Sequence, residues 1–352
     1  MTIVFAILIF SLMVFVHELG HFVAAKLSGV QVNEFSIFMG PAIVKWNRGE
    51  TLYAIRCIPF GGYCAMEGEN EETDNPRSFQ KASWWKRLII LLAGSFMNFV
   101  TGFLIYLALY IPMEQVVVPQ IVEFTDCCIF QGEDGIQVDD RILEIDGEKV
   151  FVTGDVSLIL GLNDTGIHDI KVQRGNEILV FEDFPMTHSH TDVDEPYTHY
   201  GFTYGKVVPI AGWEKVEYVW AMTCDTVRNV RLSLQMLVTG KAALSEVSGP
   251  VGIVSQMNEI AQESETTTLA MLNLLSIGAF LAINLAVMNL LPIPALDGGR
   301  AVCLLLTTVT EKITGKKINP KIEMYIHGIG MILLLALMAL IMFKDVFFLF
   351  KR

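Results

Sequence analysis

The sequence predicts an α-helical membrane protein with four transmembrane helices, a small membrane-associated β region and one extracytoplasmic, β-rich α+β domain. Three observations predict this. The 352 residues are 52% hydrophobic and 18% charged, with a mean hydropathy of +0.47, which is too apolar for a soluble chain and too charged for a fully embedded one. Four stretches, Ile3 to Leu27, Leu88 to Ile111, Leu269 to Leu291 and Met324 to Phe343, are long and apolar enough to cross about 30 Å of hydrocarbon. Acidic residues crowd between the second and third of these, and the net charge of -13 argues against nucleic acid as a partner.

These features divide the chain into 1–111, a membrane half with a β loop region; 112–205, an aqueous domain; 206–268, an amphipathic stretch; and 269–352, a second membrane half. No basic residue precedes the first span, which separates it from a cleaved signal peptide. It carries His17, Glu18 and His21 as H-E-x-x-H near its C-terminal end. On a helix the i, i+4 spacing sets both imidazoles on one face, where they can hold one Zn²⁺ with the glutamate beside the metal's open position. Ionisable groups in a hydrocarbon-compatible helix cost several kcal/mol unless paired, and a metal is a natural partner.

Between residues 30 and 68 alternating short runs punctuated by Gly and Pro, Thr51 to Ile58 among them, read as antiparallel strands. Such strands offer an edge for an unwound substrate backbone, although a plain surface hairpin would read the same way. The second span places Gly94, Asn98 and Gly102 on one stripe, suited to close helix approach, and Asn98 needs a polar partner for which the zinc site is one candidate. Lys26, Lys86, Arg87, Arg300, Lys312, Lys316, Lys317 and Lys321 flank the two short loops between spans, which puts those loops in the cytoplasm; Lys344, Lys351 and Arg352 dissent.

From Val116 to about Gly205 the chain alternates and turns at Glu133-Asp134-Gly135, Asp146-Gly147 and Arg174-Gly175, the size of one small β-rich domain. His188, His190, Asp192 and His199 follow; a solvated hairpin tip is commoner than a metal site for such a cluster. The six cysteines show no C-x-x-C, and the adjacent Cys127 and Cys128 read as free thiols. Trp213, Val216, Trp220, Thr223, Val227, Val230, Leu234 and Leu237 recur at helical steps and predict a long amphipathic helix. In the third span Asn273 and Asn284 share a face that should point into the bundle. That span ends in NLLPIPALDGGR, residues 289–300, where two prolines and two glycines break the helix at membrane depth. Asp297 there is the carboxylate that a His₂ site still lacks, unless it simply begins a loop.

GEDGIQVDDRILEIDGEKV at 132–150 resembles the helix-turn-strand of a PDZ domain, with Asp139 where glycine is usual, and Lys171 to Val180 resembles that fold's later hairpin; a PDZ-like groove would take an extended peptide. HELGH at 17–21, GETLYAIRCIPFGGYCAMEGE at 49–69, AGSFMNF at 93–99, LSEVSGPVGI at 244–253 and NLLPIPALDGGR at 289–300 together resemble the site-2 protease family of intramembrane zinc metalloproteases, in the bacterial regulator form with a single PDZ domain. Ser95 departs from that pattern, which usually has proline. The resemblance implies His17, His21 and Asp297 as zinc ligands, Glu18 as catalytic acid/base, and Asn289 as a residue that helps hold substrate backbone. It also implies regulated proteolysis, in a bacterial cell membrane, of single-span proteins already trimmed outside, such as anti-sigma factors, and of signal-peptide remnants. Two other readings stay open. A scaffold with structural zinc would normally need four protein ligands, and a transporter would normally show internal repeats, of which the sequence gives no sign.

Overall fold

A computed structural model describes residues 2–69, 71, 73–124, 135–163, 165–185, 201–241, 248–315 and 320–351. Cys127, Cys128 and the histidines at 188, 190 and 199 lie outside the described residues. The chain divides into two compact units, residues 1–106 with 229–352, and residues 107–228.

Among the described residues four helices are long and apolar enough to cross a membrane: α1 (Thr2–Ser28), α2 (Trp84–Tyr110), α6 (Thr267–Leu290) and α8 (Pro320–Lys351), all in the first unit but for the last turn of α2. Helices that are apolar on every side suit lipid, and many large apolar side chains on α8 are exposed, among them Ile332, Leu333 and Phe343. Small residues let the others approach closely. A Cβ on Gly20 of α1 would lie 2.4 Å from the Ala93 carbonyl oxygen of α2, and one on Gly102 of α2 would lie 2.6 Å from Ile283 of α6. α2 runs unbroken through Ser95.

Between α1 and α2 the strands β1 (Val32–Arg48) and β2 (Thr51–Met66) each kink and double back. Phe38 and Gly40 in β1, and Gly61 in β2, take positive φ at the kinks. Residues 34–37 therefore pair on one side with 62–65 and on the other with 52–55, while 42–48 pair with 51–56. The result is four ribbons rather than a plain hairpin, with 62–66 along one edge. Phe35, Cys64 and Met66 pack with Ala25, Ile90, Leu91 and Leu304, which binds the ribbons to α1, α2 and α7 (Asp297–Thr314). A second apolar cluster joins Ala6, Ile9 and Met13 of α1 to Met257 of α5 (Pro250–Glu263) and Leu274 and Ala282 of α6.

The second unit holds one antiparallel sheet. Its strands β3 (Gln115–Phe124), β4 (Arg141–Ile145), β5 (Glu148–Lys149), β6 (Ile167–Arg174), β7 (Glu177–Pro185) and β8 (Phe202–Pro209) run in the order β7-β6-β4-β3-β8, with β5 paired to β4. This sheet and α3 (Gly154–Leu160) enclose Ile121, Ile142, Ile145, Val156, Ile159, Ile170 and Val172. Strand β8 carries the sheet to Pro209, and the unit reaches Arg228, further than the 112–205 expected from sequence. Asp139 has a φ of +73°, the left-handed region that favours glycine.

The amphipathic helix forms as α4 (Glu214–Thr239), and its buried residues are Val219, Thr223, Thr226, Arg228, Val230 and Leu232, of which only Thr223 and Val230 lie on the expected stripe. Trp213 and Trp220, placed by periodicity on the apolar stripe, are 71% and 52% exposed. Three- and four-residue spacing fits more than one face of a long helix, so periodicity alone did not select the packed one.

Candidate metal centre

α1 is continuous through His17, Glu18 and His21, so the two imidazoles lie one turn apart, edge to face, with ring centroids 4.8 Å from each other. Room for them comes from α2. A Cβ on Gly94 would lie 2.4 Å from His21 Nε2 and 2.7 Å from His17 Cε1, so any larger residue would occupy the imidazole space. The sequence showed Gly94 as part of a packing stripe; its part in admitting the rings is visible only in three dimensions.

His21 donates from Nδ1 to the Ile90 carbonyl at 2.7 Å, which fixes the tautomer and leaves Nε2 as a bare lone pair. Asn98, fully buried, sets its amide 3.4 Å from His17 Nδ1, so the amide does find its partner at this site.

Asp297 arrives from the far end of the sequence. Pro292 and Pro294 stop α6, and α7 begins at Asp297. Gly298 and Gly299 fold this first turn of α7 flush against the broken segment: a Cβ on either would lie 2.2 Å from the Leu290 or Ile293 carbonyl oxygen. Asp297 Oδ2 thereby sits 3.1 Å from His17 Nε2 and 3.3 Å from His21 Nε2. One ligand atom from each of His17, His21 and Asp297 lies within 4.8 Å of the others.

This donor set fits a zinc ion. Asp297 Oδ2 is buried without a hydrogen-bond partner. A carboxylate oxygen facing the lone pair of His21 is repulsive until a cation lies between them. Glu18 turns toward β2, where a Cβ on Gly62 would be 3.4 Å from its Cγ. Asn289 occupies the last turn of α6, half-buried.

A multi-pass helical frame with two imidazoles, a neighbouring glutamate and a carboxylate from a distant helix defines a membrane-embedded metallopeptidase. The comparisons carry this further. The chain matches Peptidase family M50 over residues 5–337. It is 34% identical over 351 residues to a Clostridium perfringens protein provisionally named a zinc metalloprotease, covering 99% of each chain. It is also 27% identical over 435 residues to the regulator of sigma-W protease RasP of Bacillus subtilis, and 29% identical over 436 residues to the zinc metalloprotease RasP of Oceanobacillus iheyensis, covering 98% of each chain in both cases. The chain belongs to peptidase family M50 and is a zinc metalloendopeptidase of the site-2 type.

Proposed function

We propose that this protein cleaves single-span membrane proteins at membrane depth, with His17, His21 and Asp297 holding the zinc and Glu18 moving the proton. The observation that supports this most directly is the meeting of Asp297 with two imidazoles of an apolar helix, at the end of a spanning helix broken by prolines. Zinc, when bound, supplies a water activated near neutral pH and polarises the scissile carbonyl. Glu18 takes the proton of the attacking water and returns it to the leaving amine nitrogen. The Asn98 amide nitrogen faces His17 Nδ1; with the amide turned over, its oxygen would accept the His17 Nδ1 proton, leave Nε2 free and give Oδ1 a partner.

A spanning helix shields its own carbonyls, so the substrate must unwind before hydrolysis. The edge ribbon 62–66 runs beside Glu18 and offers unpaired backbone groups for strand addition, with Asn289 holding the substrate from the other side. The substrates we propose are anti-sigma factors and signal-peptide remnants already shortened outside the membrane. The unit at 107–228 would act as the PDZ-like filter against untrimmed ectodomains, with its groove open to a peptide. The charge pattern supports a bacterial cytoplasmic membrane with the site toward the cytoplasm and the PDZ-like domain outside.

Glu18→Gln tests this reading. It removes the proton carrier and spares the three ligands, so cleavage of a reconstituted membrane substrate should fall by ~100- to 10,000-fold with zinc still bound. Proteolysis at the wild-type rate would overturn the assignment.

A further inference from the structure

Between α6 and α7 the backbone has few ways to satisfy itself. Pro292 and Pro294 carry no N–H. The amide of Leu291 donates to Met288 at 3.1 Å, that of Ile293 to Leu291 at 2.7 Å, and that of Leu296 to Ile293 at 3.2 Å. Ala295 donates outside the segment, to Nδ1 of His327 on α8, at 3.0 Å.

Ala295 also has a φ of +81°. It follows Pro294 in a turn closed by the Leu296-to-Ile293 bond, the pattern of a type II turn, in which this position normally takes glycine. An alanine held there costs on the order of 1 kcal/mol and persists only where its surroundings impose it. α8 imposes it twice. His327 accepts the Ala295 amide, and three residues later Gly330 lies flush on the turn: a Cβ there would be 2.4 Å from Pro294 Cβ and 2.9 Å from the Pro294 carbonyl oxygen. Asp297 begins α7 two residues beyond Ala295, and its neighbours are closely packed: Pro294 against Gly330, and Gly298 and Gly299 against the carbonyls of Leu290 and Ile293. A histidine in a spanning helix is costly unless it is bonded; Nδ1 of His327 finds its partner in the Ala295 amide, while Nε2 is buried without one.

We propose that His327 is a positioning residue for the metal site: by holding the Ala295 amide it fixes the Pro294–Ala295 turn, and with it the place of Asp297 beside His17 and His21. The proposal rests on Asp297 being a zinc ligand. His327 touches neither metal nor substrate in this role. Because Nδ1 accepts, the ring is neutral with its proton on Nε2.

The test uses the full-length protein in detergent, with two readouts: amide exchange of residues 291–296, and zinc retention against a chelator. His327→Leu keeps bulk and removes the acceptor. It should speed exchange of the segment about tenfold, the equivalent of one lost hydrogen bond, and weaken zinc by ~10- to 100-fold, as loss of ligand-orienting partners does. His327→Asn places Oδ1 near the position of Nδ1 and should restore most of both. Leucine behaving as wild type, or asparagine behaving no better than leucine, overturns the proposal. Should the leucine variant fail to fold, Gly330→Ala decides: it keeps the histidine but lifts α8 from Pro294, so weakened zinc supports the proposal and wild-type retention overturns it. Asp297→Ala in the same series separates the two levels. If it leaves zinc unchanged, the ligand assignment is wrong. If it loses zinc while His327→Leu does not, only the positioning role falls.

Discussion

The protein buries ionisable side chains together in both of its units, and the two clusters are built on opposite plans. In residues 107–228, Asp155 and Asp225 share the guanidinium of Arg228, which also donates to the Lys149 carbonyl and stacks 5.1 Å from the Phe151 ring. Asp155 in addition accepts from the amides of Phe151 and Val152 at 2.6 and 2.9 Å. That cluster carries its own cation. The cluster of His17, His21 and Asp297 carries none: its nitrogens and its carboxylate oxygen face one another at 3.1 and 3.3 Å, and Asp297 Oδ2 has no donor. A buried polar group left unmatched costs about 1–3 kcal/mol or more, so Asp297 Oδ2 gains from a cation placed between it and the two imidazoles. The difference lies in the cation: one cluster holds a guanidinium between its carboxylates, and the other sets a carboxylate oxygen against two imidazole nitrogens.

The largest expected effect comes from breaking the open cluster. Asp297→Ala should weaken zinc by at least ~100-fold, beyond the range seen when only a ligand's supporting partner is lost, as read by metal content after dialysis. An unchanged content would put the two clusters on the same footing. Gly94→Ala follows: its Cβ would enter the space of both imidazoles, so zinc affinity should fall at least ~10-fold with every ligand still present. Wild-type affinity in that variant would mean that α2 gives way easily.

Arg228→Met attacks the closed cluster. It strands the buried Asp155 carboxylate beside half-buried Asp225 and should destabilise residues 107–228 by about 3 to 5 kcal/mol in denaturant unfolding, with zinc affinity unmoved. Loss of zinc as well would show the clusters to be energetically linked. The smallest effect belongs to Asp225→Asn. Burial, together with neighbouring Asp155, pushes the Asp225 carboxyl up to about 8 against the opposing pull of Arg228. Because the folded value lies above the unfolded one, protonation stabilises the fold; this contribution is complete below about pH 4 and lost as pH rises toward 8. Asparagine should flatten that part of the stability–pH curve, and an unaltered slope would locate the titration elsewhere.

Much of the site was legible because its signals are local. H-E-x-x-H needs only helical periodicity to set two imidazoles on one face, and the four spans need only length and apolar composition. Asp297 was legible because prolines and glycines at membrane depth demand an explanation. The rest was hidden in contacts between elements. The doubling back of β1 and β2 rests on positive φ at Phe38, a residue type that gives no warning of it. The packed face of α4 lay off the tryptophan stripe. His327 left one usable signal, a lone histidine inside an apolar span, but its partner is the backbone of a loop that no side-chain pattern reveals.

The sequence by itself determined which chemical groups exist, which helices can cross a bilayer, and which side chains share a helical face, since each depends on neighbours a few residues away. Only the tertiary structure decided that Asp297 meets His17 and His21, that Gly94 makes the room, and that α8 holds the turn between them. Those contacts join residues far apart in the chain, and close packing, where a single Cβ at Gly94, Gly298 or Gly330 would collide, is what selects them.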